Sequence, residues 1–84
     1  MSKLFFKTPS GNYMAILDDR SIDVIHLGGN SINIIVSELT PDVHPQVLAS
    51  VRKRYSLISQ AEFLKELDKA LKVLTETINL VMQK

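Results

Sequence analysis

The chain has 84 residues, 45% of them hydrophobic and 23% charged, with no cysteine and a net charge of +1. That length makes one domain with a modest core. The composition excludes wholesale disorder, and the near-neutral charge gives no general signal for polyanion binding.

The first half reads as strands. Lys3–Thr8 predicts a short aromatic strand, followed by the turn residues Pro9-Ser10-Gly11-Asn12. Tyr13–Leu17 predicts a second strand, ended by Asp18-Asp19-Arg20-Ser21, and Ile22–Leu27 a third. A fourth runs from about Ser31 to Leu39. Gly28-Gly29-Asn30 supplies residues that tolerate positive φ, as a tight hairpin between the third and fourth strands requires. With Gly29-Asn30 as the loop, Leu27 pairs with Ile32 and Ile25 with Ile34; with Gly28-Gly29, Ile25 pairs with Ile32. Either register gathers these four residues with Val36 on one face and leaves a mixed face of Ile22, Val24, His26, Asn33, Ile35 and Ser37. A wholly solvated face would hold fewer isoleucines, so this one is expected to be partly covered by a strand, a helix or a second subunit.

Thr40-Pro41-Asp42-Val43-His44-Pro45 breaks the pattern and forms a connector, with Pro45 suited to a first helical position. A helix from about Pro45 to Tyr55 places Leu48, Val51 and Tyr55 on one stripe, flanked by Val47. Ser59-Gln60-Ala61-Glu62 fits a capping box and starts a long helix running to about Gln83. Along it Leu64, Leu67, Leu71, Leu74, Ile78 and Val81 form a seam at alternating spacings of three and four, widened by Phe63, Ala70 and Thr77. Two readings of the seam compete, a two-stranded coiled coil, which prefers charges at the flanking positions, and packing on the protein's own sheet, which a stripe this wide favours. Near the end, Val73, Leu80, Val81 and Met82 point several ways around the helix, more apolar surface than one sheet face can cover. The fold class is therefore α+β: a four-stranded antiparallel meander over residues 1–39, a connector and short helix over 40–58, and a long helix over 59–84.

No motif carries chemistry. Ser50-Val51-Arg52-Lys53 matches the Ser-x-x-Lys pattern in which a lysine assists a nucleophilic serine, but the companion Ser-Asp-Asn and Lys-Thr-Gly elements are missing. Counted from Asp18, a calcium loop would need glycine at its sixth position and glutamate at its twelfth, where the chain has Asp23 and Gly29. His26 and His44 have no further ligands at metal-binding spacing. Phe5, Phe6 and Tyr13 read as core aromatics rather than a base-stacking platform. No cofactor, metal or catalytic residue is expected.

Three functions are left, of which an enzyme with a site shared across a dimer interface comes last because no residue nominates itself. The first is a non-catalytic interaction module, a homodimer or the partner of another protein. Its contact residues are Val73, Leu80, Val81 and Met82 on the last helix, with Ile22, Val24 and Ile35 as a second patch on the mixed sheet face. The alternative is a small nucleic-acid-binding or regulatory protein using the basic cluster Arg52-Lys53-Arg54. A small domain without disulfide staples fits a reducing compartment. No segment is long and apolar enough to span a bilayer, and Leu4-Phe5-Phe6 is too short for a signal peptide, so the cytoplasm is the expected location.

Overall fold

The computed structural model describes residues 3–28 and 31–83. Four antiparallel strands come first: β1 (Leu4–Lys7), β2 (Tyr13–Ile16), β3 (Arg20–Gly28) and β4 (Ser31–Glu38). Helix α1 (His44–Arg54), a short strand β5 (Ser56–Ile58) and helix α2 (Gln60–Met82) follow. The sheet order is β4-β3-β2-β1-β5, so the meander lies in sequence order and the chain returns after α1 to add β5 beside β1. Three residues are too few to show a period of two, so β5 carries no strand signal in the sequence.

Register divides the side chains between two faces. Phe5 pairs with Ala15 and Ile58, Ala15 with Ile22, and Tyr13 with Val24, which pairs in turn with Ile34. These residues share one face, and α2 covers it through Phe63 and Ala70. The other face carries Leu4, Phe6, Met14 and Ile16, and α1 covers it through Val51 with Val47, Leu48 and Tyr55. The sheet is thus the middle of three layers, with a small core on each side. His44 helps to seat α1, since its Nε2 lies 2.9 Å from the carbonyl oxygen of Leu17.

The β3–β4 hairpin corrects the expected register. Gly28, at φ +96°, pairs with Ser31, but His26 then pairs with Ile32, so Leu27 is an extra residue in a bulge. The Gly29-Asn30 loop itself lies outside the described residues. The bulge shifts every pair below it by one. Ile22, Val24 and His26 therefore share a face with Ile32, Ile34 and Val36, while Ile25 joins Asn33 and Ile35 on the opposite side. The apolar residues on the expected mixed face belong to two different layers.

Helix α2 begins as its sequence predicts, with the Ser59 hydroxyl accepting the N–H of Glu62 at 3.1 Å. Its roll is different. Phe63 and Ala70 are buried and Leu67 partly so, whereas Leu64, Leu71, Leu74 and Ile78 stay just under half exposed. Leu64, Leu71 and Ile78 each follow Phe63, Ala70 and Thr77 by one residue, which is 100° around the helix. The axis of burial therefore runs along the flank of the seam.

The helix also outruns the sheet. Five strands span about 19 Å, and 23 helical residues about 34 Å. From Leu74 to Gln83 every residue is exposed. The radius of gyration of 14.1 Å exceeds the roughly 12 Å of a compact domain this size, and the longest extent is 47 Å.

Candidate functional site

The surface that stands out lies on α2. Leu64, Leu71, Leu74 and Ile78 form a stripe beside the sheet contact, and beyond it Leu80, Val81 and Met82 are 69–80% exposed. The polar side of the helix holds ion pairs between Lys69 and Glu66 (3.4 Å) and between Lys72 and Asp68 (3.2 Å). An exposed helix face of this kind is ordinarily wholly polar. The stripe is the departure from that rule.

The sequence-derived contact residues divide. Leu80, Val81 and Met82 lie on the projecting end of α2, and Val73 is half-buried at its base. Val24 is fully buried beneath α2 and Ile22 packs on the same core, so neither belongs to a free patch. Ile35 lies on the opposite face and is 42% exposed. The expected second patch is therefore not a single surface, because the bulge at Leu27 separates its members. Val36, expected on one apolar face with Ile32 and Ile34, does share a face with them, the one that α2 covers, but is 61% exposed there. The helix covers Ile32 and Ile34 of the same strand but stops short of Val36.

Arg52, Lys53 and Arg54 are exposed in the last turn of α1. Cations there complement the partial negative charge of the helix C-terminus, which accounts for them without a polyanion. The aromatics offer no stacking platform: Phe6 is buried under α1, Tyr13 under α2, and Phe5 packs on Phe63. Ser50 and Lys53 are both exposed on α1 and enclose no site. Among the described residues no group of three or more His, Asp or Glu side chains could hold a metal.

Concavities among the described residues flank the sheet. One, of about 350 Å³, is lined by Asp19, Arg20, Val36 and Glu38. Within it the guanidinium of Arg20 donates Nε to Asp19 Oδ1 (3.0 Å) and Nη2 to Oδ2 (2.9 Å). That hydrogen-bonded pairing holds the exposed Asp19 carboxyl below its ordinary range. Another, of about 110 Å³, is lined by residues that include Asn12, Asp23 and Tyr55. Asp23 Oδ1 is buried there without a hydrogen-bond partner, and burial raises its pKa. Thr8 and Tyr13 also line this hollow, and among its described lining residues Asp23 is the one carboxylate.

No family model, curated protein or solved structure is similar to this chain.

Proposed function

We propose that this chain is a non-catalytic protein–protein interaction module that works as a homodimer through α2. The supporting observation is the amount of apolar surface left on that helix. Leu64, Leu71, Leu74 and Ile78 are 45–48% exposed, Val36 is 61% exposed, and the three projecting residues are more exposed still. Exposed apolar side chains in this number along one helix mark an interaction surface rather than an ordinary solvated face. The four stripe residues carry no charge, so a two-fold axis would set no like charges against each other.

The test is the mass in solution by size-exclusion chromatography with light scattering. The expected result is twice the 9.4 kDa of one chain, persisting at low micromolar concentration. Changing Ile78→Lys with Val81→Lys should give a folded monomer, because both side chains are exposed in one chain. A wild-type monomer would overturn the reading. Nucleic-acid binding through Arg52, Lys53 and Arg54 is the second reading, supported by the exposure of three adjacent cations. It requires salt-dependent retention on DNA or RNA that is lost when all three become glutamine.

A further inference from the structure

β4 is an edge of the sheet, eight residues long, with the sequence Ser-Ile-Asn-Ile-Ile-Val-Ser-Glu. Natural edges are blunted by proline, lysine, a central bulge or a covering element. This one has no proline or lysine, and its one bulge lies on the neighbouring strand near the hairpin turn.

Its free backbone groups can be identified. Leu17 donates its N–H to Arg20 (2.9 Å), and His26 donates its own to the Asn12 side chain (2.9 Å). Even-numbered residues of β3 therefore turn their N–H groups toward β2, and odd-numbered ones toward β4. Ile25 pairs with Asn33, so odd-numbered β4 residues bond to β3. Ile32, Ile34, Val36 and Glu38 then present their N–H and C=O groups at the outer edge.

α2 overruns this same edge. It starts beside β5, crosses the sheet in contact with β1, β2, β3 and β4, and continues past β4. For a right-handed helix crossing this face in that direction, the flank bearing Leu71 and Ile78 turns to the side where Val36 is uncovered.

Building on the homodimer reading, we infer that two copies join by antiparallel pairing of β4 with β4, with the two α2 helices side by side above the seam. A two-fold axis perpendicular to the sheet near Ile34 and Ile35 makes one ten-stranded sheet and keeps both α2 helices on one face. Each helix then runs past the edge onto the partner's sheet and covers the partner's Val36. The stripes of the two helices meet antiparallel at the 8–10 Å typical of packed helices. One operation satisfies the open edge, covers the exposed valine and buries the stripe. A strand from a different protein would satisfy only the edge.

The experiment uses the full chain and two variants. Val36→Pro removes an outward N–H that takes no part in the β3–β4 ladder, a position where an edge strand tolerates proline. Ile35→Cys puts a unique thiol near the axis in a chain without cysteine. The expected results are a wild-type dimer, a folded Val36→Pro monomer, and covalent dimers when Ile35→Cys is treated with a short bifunctional maleimide. Leu57→Cys, on the β5 edge, should give none. If Val36→Pro is folded and still dimeric, edge pairing is overturned and the homodimer reading stands. If Val36→Pro does not fold, the Ile35→Cys cross-link decides: its formation supports the pairing and its absence overturns it. A wild-type monomer overturns both readings.

Discussion

The ring of Phe63 lies 5.2 Å from that of Phe5, inclined to it by 37°, and joins the first turn of α2 to the middle of β1. Aromatic pairs at this distance add about 0.5–1.5 kcal/mol to their burial. Phe63 is a fully buried side chain whereas Leu64, the next residue, is 47% exposed. The pair therefore sets the roll of the helix. With Phe63 pointing into the sheet, the line of Leu64, Leu71 and Ile78 is carried to the side.

Adjacent substitutions should then differ widely. Phe63→Ala is expected to cost about 3–5 kcal/mol, enough to leave a domain this small largely unfolded. Leu64→Ala should cost below about 1 kcal/mol in the monomer, because half of that side chain already faces solvent. Urea denaturation below the dimerisation concentration measures both. Equal losses would mean that the helix has a different roll.

The start of α2 depends on one side chain. The Ser59 hydroxyl takes up the Glu62 N–H, which the helix cannot satisfy internally. Ser59→Ala should lower stability by about 1 kcal/mol, and Ser59→Asp should retain it, because aspartate caps as well as serine. The urea midpoints of the two variants decide this directly.

Every element except the three-residue β5 was legible, because each of the others carries a local signal. Ser59 and Glu62 marked the helix start, Pro45 the first turn of α1, and turn residues separated the strands. What was hidden is tertiary. Leu27 is an ordinary strand residue by type, and only the pairing of Gly28 with Ser31 and His26 with Ile32 makes it a bulge. That one residue moved Val24 into the core and left Ile35 on the far face. Likewise, the seam on α2 marked an apolar side but not which line of it the sheet would take. Phe63 and Ala70 took that place because a large ring and a small residue let the helix sit closely on Phe5, Ala15 and Val24.

Asp23 should make stability depend on pH in a set direction. Its carboxyl sits among partly apolar neighbours, with one oxygen buried and unpaired, and burial raises its pKa above the ordinary 3.8. The folded state therefore holds the proton more tightly than the unfolded chain. Its contribution to stability falls as pH rises from about 3.8 through the raised value, and the full penalty applies at neutral pH. Asp23→Asn removes the charge at nearly constant shape. Its urea midpoint should exceed that of the wild type at pH 7, and the gap should close as the solution is acidified. A gap that widened on acidification would mean that the carboxylate is stabilised in the fold.

Shortening α2 separates folding from assembly. Both buried clusters are complete by Ala70, and from Leu74 to Gln83 each residue is exposed. A chain ending at Leu74 keeps Phe63, Leu67, Ala70 and Val73, and with them every α2 side chain that is buried or partly buried against the sheet. Its circular dichroism should report the same sheet with less helix, and its urea midpoint below the dimerisation concentration should stay close to that of the full chain. Its mass should be that of one chain, because Ile78, Val81 and Met82 are gone and the remaining stripe is too small to hold two copies together. A shortened chain that unfolds would place the last ten residues in the core of the monomer. One that stays dimeric would place the whole association on β4.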